Sequence, residues 1–242
     1  VAQDSSFYGR DIGTDLVGLL EKTLASTSIP WIRVMYLHPA YVDDRLLHLF
    51  ATEPRLCPYF DMPLQHIADP ILRSMHRRPL SREIRVLIKK IRTMVPDATL
   101  RSTFIVGFPG ETEVHFKELV RFIEEVKFDK LGVFPFSPEE NTRAYTMRPR
   151  PRTSTVMRRC DEIMMLQRDI SGRLLDAKVG KVLEVIVDAK SDGPEFAYIG
   201  RTRADAPEID GNVLLTDKDL EIGSLVNVTI TGATDHDLIG SQ

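Results

Sequence analysis

Short apolar runs alternate with amphipathic stretches along the first 180 residues of this chain, and that alternation confines it to a parallel α/β fold. Leu16, Val17, Leu19, Leu20 and Leu24 recur at helical spacing. The strand-like segment 31–37 (WIRVMYL) is followed by a helical pattern from about Asp43 to Ala51. Segment 59–64 (YFDMPL) precedes a helix whose Asp69 and Pro70 suit the N-cap and first helical positions. Ser81 is placed to cap the next helix, which runs to about Met94. Strand 99–106 (TLRSTFIV) leads into a helix over Glu113 to Val126, and 130–136 (KLGVFPF) closes the series. Strands alternating with helices imply right-handed crossovers and a parallel sheet, either doubly wound or curled into a barrel. In both architectures a ligand belongs at the C-terminal ends of the strands.

Those ends carry polar and conformationally special residues: His38 and Pro39, Gln65 and His66, Gly107 to Glu111, and Phe136 to Pro138. The richest is TFIVGFPGET (103–112), where a buried apolar strand meets a turn that opens a helix. Gly107 and Gly110 admit backbone conformations closed to residues with a Cβ, so their bare amides are open to a small molecule. Glu111 and Thr112 stand where an acceptor suits the unpaired N–H groups and positive end of the following helix. A turn that only joins strand to helix has the same pattern, and a hydrogen-bonded strand-end histidine explains His38 or His66 taken singly.

Length and composition describe an ordinary globular chain: 242 residues, 43% hydrophobic and 28% charged, enough for one large domain and a small one. No apolar run approaches the roughly 20 residues of a bilayer span. Cys57 and Cys160 stand far apart without a C-x-x-C partner, so each is expected to be a buried thiol. The chain starts at Val1 and enters patterned sequence at once, so we expect a longer natural N-terminus. The formal net charge of -3 hides two segments of opposite sign that meet near Gly180. From Lys181 onward 12 acidic residues face 5 basic ones, while residues 1–180 carry 27 basic against 23 acidic. A strongly acidic tail repels phosphate backbones and attracts basic protein surfaces, although a merely solvated acidic surface has the same composition.

Four segments in order, VAQDSSFYGRD (1–11), DMPLQHIADPILRSMHR (61–77), LRSTFIVGFPGETEVHF (100–116) and GVFPFSPEENT (132–142), resemble the successive strand-end motifs of the radical S-adenosylmethionine methylthiotransferases. The tail segments GKVLEVIVDA (180–189), AYIGRTRADAPEIDGNV (197–213) and DHDLIG (235–240) are similar to the small β-barrel called the TRAM domain. The resemblance covers essentially the whole chain. It implies a partial radical-SAM (β/α) barrel over 1–179, lacking its first strand and cluster loop, followed by an antiparallel TRAM barrel over 180–242. RTRADAPEIDG and PLQH resemble the branch that modifies an aspartate of a small-subunit ribosomal protein, and the acidic tail agrees, being a good dock for a basic ribosomal-protein loop.

The resemblance also implies two [4Fe-4S] clusters and S-adenosylmethionine as cofactors, in a cytoplasmic enzyme. A reduced cluster cleaves S-adenosylmethionine, the resulting 5′-deoxyadenosyl radical takes a hydrogen from the aspartate β-carbon, and sulfur and a methyl group are added there. The cysteine triads that would hold those clusters are absent from this chain, and neither Cys57 nor Cys160 fits them, so the chain alone is expected to be inactive. Carried over by position, the Val106 and Gly107 backbone is expected at the adenine, with Phe134, Pro135 and Phe136 on the ring's other edge. Gln65, His66 and Arg77 fall near the ribose, carboxylate or substrate, while Pro109, Gly110 and Glu111 support the turn. Arg201, Asp205, Glu208 and Asp210 in the tail are the expected docking residues. Phe134 and Phe136 as barrel core, and Arg77 as a solvated helix end, are the plain structural alternatives. Pro135 interrupts the ladder and favours an exposed rim. Asn141 replaces the glycine of an EEGT motif, at a turn where asparagine tolerates a left-handed backbone.

The long basic helix from Thr153 to Asp176 is expected to pack with Met157, Ile163, Met164, Leu166, Ile170 and Leu174 as core filling, and RPRPR (148–152) has the charge to touch nucleic acid but reads first as a solvated linker. Two other functions fit parts of the sequence: a transfer-RNA adenosine methylthiotransferase, which the acidic tail disfavours, and a non-catalytic module that presents the acidic barrel to a protein.

Overall fold

The computed structural model describes residues 4–242, so the first three residues of the VAQDSSFYGRD motif lie outside the described residues. The chain divides into two compact units between Gln167 and Arg168.

The first unit is built on a three-stranded parallel sheet, β1 (Tyr59–Asp61), β2 (Thr99–Val106) and β3 (Lys130–Pro135), in that order. Tyr59 pairs with Thr99 and Arg101 with Lys130, which puts β2 in the middle. Its pattern fits that place, because Leu100, Phe104 and Val106 are completely buried. Helices connect and flank the strands: α1 (Leu16–Ser26), α2 (Asp44–Thr52), α3 (Asp69–Ser74), α4 (Ser81–Met94) and α5 (Glu113–Val126). Each longer helix buries one stripe, for example Ile84, Ile88 and Ile91 of α4 and Phe116, Leu119, Phe122 and Ile123 of α5. Phe104 of β2 meets Phe122 and Phe128 edge to face, with ring centres 6.3 and 5.6 Å away. Aromatic pairs of this geometry add to the area they bury, so the sheet centre is anchored by side chains the sequence spaces far apart.

Three local expectations are corrected. Segment 31–37 forms a single bridge, Ile32 to Leu56, rather than a ladder. Tyr36 takes φ +57°, and the chain is held instead by Asp61, whose buried carboxylate accepts from the Tyr36 N–H at 3.1 Å and from Arg101 at 2.9 Å. Asp69 is the first residue of α3 rather than its cap, and its carboxylate accepts from the Ser81 N–H at 2.9 Å. Ser81 likewise follows the cap, since Leu80 occupies that position.

The short α6 (Arg143–Thr146) and the long α7 (Thr153–Asp176) complete the helices. On α7 the buried stripe is Val156, Arg159, Cys160, Ile163, Gln167 and Ile170, at spacings of three and four. The methionines expected in the core are outside it: Met157 and Met164 are about half exposed, at 48% and 46%. Cys57 and Cys160 are both buried free thiols. Among the described residues no helix is long and apolar enough to cross a membrane.

In the second unit β4 (Val182–Lys190), β5 (Tyr198–Thr202), β6 (Val213–Leu215), β7 (Leu225–Ala233) and β8 (Leu238–Ser241) close a barrel in the order β4-β5-β6-β8-β7. Four of its five pairings are antiparallel, as in the small barrel expected, and β6 and β8 run parallel. Val185, Val187, Val213, Leu215, Val228 and Ile230 fill the interior, on alternate positions of their strands. The GNV and DHD segments of the tail meet here. Asp237 accepts from the Asn212 N–H at 2.7 Å, and the His236 carbonyl lies so close to Gly211 that no Cβ fits between them.

Candidate functional site

The C-terminal ends of β1, β2 and β3 bring together the Gln65–His66 loop, the Gly107–Glu111 turn and Phe134–Phe136. Strand β2 stops because Gly107 takes φ +82°, a conformation that costs a residue with a Cβ about 1–2 kcal/mol. Gly110 repeats it at φ +86°, and Thr112 then starts α5 as its cap. The turn faces inward, since Val106, Gly107, Phe108, Pro109 and Glu111 are all buried and Gly110 alone is exposed.

Its amides are engaged, which corrects the expectation of a bare cradle. The Gly107 N–H donates to Glu111 Oε2 at 2.7 Å, the Gly110 N–H to the Pro149 carbonyl at 2.9 Å, and the Glu111 N–H to the Phe108 carbonyl at 2.9 Å. Glu111 thus ties the two ends of the turn together through its own carboxylate and amide. Burial pushes its carboxyl above the usual carboxylate range, opposed by Arg159 and by the Gly107 N–H. Arg159 of α7 donates to Glu111 Oε1 at 2.6 Å and to Glu113 at 3.1 Å.

Arg159 is the residue the sequence reading missed, although it carried a signal. It lies three residues after Val156 and four before Ile163, on the buried stripe of its helix, and a buried carboxylate needs a buried partner.

His66 is likewise a supporting residue. Its side chain is completely buried, and Nδ1 accepts from the Ile67 and Ala68 N–H groups at 2.9 and 3.0 Å, which fixes the loop after β1. Nε2 has no hydrogen-bond partner and faces Glu111 Oε2 at 3.8 Å. Burial, with His115 and Arg159 nearby, lowers the imidazole to about 3, so it is neutral, carries its proton on Nε2 and forms no ion pair with Glu111. The folded pKa lies below the unfolded one, so the unfolded chain binds the extra proton between about pH 6.5 and about pH 3, and stability falls as pH drops through that window. Replacing His66 with Asn keeps an acceptor for the two amides and removes the titration. The urea midpoint of His66→Asn is therefore expected to decline less between pH 7 and pH 4.5 than that of the parent, and equal declines contradict the assignment.

The exposed part of the strand-end face comes from the other residues. Gln65 is half-buried at φ +70°, bridged to Phe104. Arg77 donates to the Pro63 carbonyl at 2.6 Å and lies near enough to His38 to help burial depress that imidazole. It is a half-buried clasp between loops rather than a solvated helix end. The Phe134 ring is 58% exposed and Pro135 is exposed, so neither is barrel core. Phe136 is half-buried, edge to face with Phe108 at 5.1 Å, and its N–H donates to the Val106 carbonyl at 2.8 Å. Asn141 takes φ +66°.

The four tail residues expected to dock a partner do not form one free acidic surface. Asp205 is buried and accepts from the Thr202 hydroxyl at 2.6 Å, Asp210 accepts from the Ala206 N–H at 2.8 Å, and Arg201 is paired with Asp188. Of the four, Glu208, at φ +64°, is exposed.

Residues 3–123 match the family model of the radical SAM superfamily, and residues 179–242 match that of the TRAM domain. Similar curated proteins include a ribosomal protein uS12 methylthiotransferase RimO from Alkaliphilus oremlandii, 41% identical over 99% of this chain and 56% of that protein. Those of the same name from Desulforamulus reducens and Clostridioides difficile are each 43% identical over 99% of this chain, and over 55% and 54% of their own lengths. The chain thus spans about half the length of the curated relatives it matches.

Proposed function

Because this chain belongs to the radical SAM superfamily, we propose that it is the C-terminal part of a methylthiotransferase that modifies the β-carbon of an aspartate in ribosomal protein uS12. The observation that carries this reading is the identity of about 40% to three uS12 methylthiotransferases, which runs through both the strand-end motifs and the tail.

The residues present fit one of the two implied cofactors. S-adenosylmethionine, when bound, supplies the methyl group and the sulfonium whose reductive cleavage starts the radical chemistry. Its adenosine suits the strand-end face: the exposed Phe134 ring offers a stacking surface, Pro135 leaves the rim of β3 without an amide donor, and Gln65 supplies an amide. Glu111 and Arg159 hold the turn beneath them, and buried Val106 excludes water from below. An iron-sulfur cluster finds no such fit, since it needs several thiolates and the two present are buried singly. Among the described residues no group of three His, Cys, Asp or Glu side chains is arranged to hold a metal. On this reading the cluster ligands belong to sequence that precedes the chain in the full-length enzyme, and the 242-residue chain alone cleaves no S-adenosylmethionine.

The partner follows from charge. The exposed Asp192, Glu195, Glu208, Asp219, Glu221 and Asp235 of the second unit favour a basic protein over a phosphate backbone. The test is an anaerobic incubation of the reconstituted full-length protein with S-adenosylmethionine, reductant and sulfide, offered both uS12 and transfer RNA. A methylthio mass gain on the uS12 aspartate supports the reading. A gain on transfer-RNA adenosine, or on neither, overturns it.

A further inference from the structure

The geometry points to Arg159 as a positioning residue for the cofactor turn, acting through Glu111 on the Gly107 amide from a helix that follows the last strand of the sheet. The inference rests on the reading that the turn serves S-adenosylmethionine.

Three observations combine. Arg159 is 3% exposed on a helix otherwise rich in solvated charge, and its two terminal nitrogens are divided between Glu111 Oε1 and Glu113 Oε2. Glu111 passes the constraint on, because its other oxygen accepts from the Gly107 N–H at the residue where β2 reverses. Val156, one turn earlier on α7, occupies the space beside Gly107, 2.5 Å from where a Cβ would stand. One segment of α7 therefore sets the turn twice, sterically through Val156 and electrostatically through Arg159. A planar guanidinium can bridge two carboxylates in a fixed geometry, which a lysine ammonium does not reproduce.

His66 adds to the arrangement. Its Nε2–H stops 3.8 Å short of Glu111 Oε2, beyond hydrogen-bond distance. The carboxylate is therefore held by Arg159 and the Gly107 amide, and not by the imidazole. The charged and titratable groups around Glu111 are Arg159 and Cys160 from α7, His66 from the loop after β1, and Glu113 and His115 from the first turn of α5. Of these only Arg159 offers Glu111 a positive charge within hydrogen-bond reach.

The experiment uses the full-length protein with a single probe, S-adenosylmethionine, whose dissociation constant is measured calorimetrically from about pH 6 to about pH 9. The parent is expected to bind with little pH dependence. Arg159→Gln leaves Glu111 buried without its counter-charge, so the carboxyl takes a proton at higher pH than in the parent and holds the Gly107 amide less well. Its affinity is expected to be about tenfold weaker at the acid end and to recover as pH rises. Glu111→Gln/Arg159→Gln, which has nothing to titrate there, is expected to be weak and flat. Arg159→Lys is expected to keep the flat profile with intermediate affinity, and serves should Arg159→Gln fail to fold. A loss in Arg159→Gln that is uniform across pH, or no loss, overturns the positioning role while the cofactor reading stands. A parent that does not bind S-adenosylmethionine overturns both.

Discussion

Replacing Gly107 with Val is expected to destabilise the first unit by about 2–5 kcal/mol and to abolish cofactor binding by whatever remains folded. Two costs add. The residue sits at φ +82°, where a Cβ costs about 1–2 kcal/mol, and the new side chain drives into Val156 in a packed interior, which costs about 1–3 kcal/mol. Val156→Ala should recover part of the packing cost in a Gly107→Ala background and none of the φ cost. Denaturant midpoints of the four proteins measure both. A shift below about 0.5 kcal/mol for Gly107→Val means that the turn lacks the tight approach described.

The second large effect concerns Glu111 and Arg159. Breaking a buried pair by removing one partner leaves an uncompensated charge and typically costs about 3–5 kcal/mol, whereas replacing both by apolar residues of similar size is often close to neutral. Glu111→Leu and Arg159→Met are therefore each expected to lower stability by that amount, and the double variant to be more stable than either single one. Recovery should stop short of the parent, because the Gly107 amide and Glu113 lose their partners. A double variant whose loss equals the sum of the single losses would mean that the two side chains contribute independently, against the 2.6 Å contact.

What the sequence made legible, and what it did not, separates along physical lines. Strand 99–106 and the helices over 81–94 and 113–126 are visible because apolar periodicity and burial coincide there. Segment 31–37 reads as a strand by its Val, Met and Leu, but Tyr36 in the left-handed region breaks the extended conformation, and that choice is set by Asp61 some 25 residues on. The strand-end location of the candidate site follows from βα alternation alone, whereas the Gly107 amide of its turn is taken up by Glu111, whose partner Arg159 stands 48 residues away. Charge was the least legible property. Counting acids in the tail treats each as surface, yet Asp205 is buried against Thr202 and Asp210 closes a turn onto Ala206. The α7 methionines show the converse, since apolar type suggested core while the helical register left Met157 and Met164 half in solvent.

On the proposed function the strand-end face of the sheet holds S-adenosylmethionine in the full-length protein. Hydrogen exchange of that protein is to be compared with and without S-adenosylmethionine. Slowed exchange is expected in peptides covering 63–68, 104–112 and 132–138, with the barrel strands unchanged. Protection confined to peptides outside those three segments would contradict it.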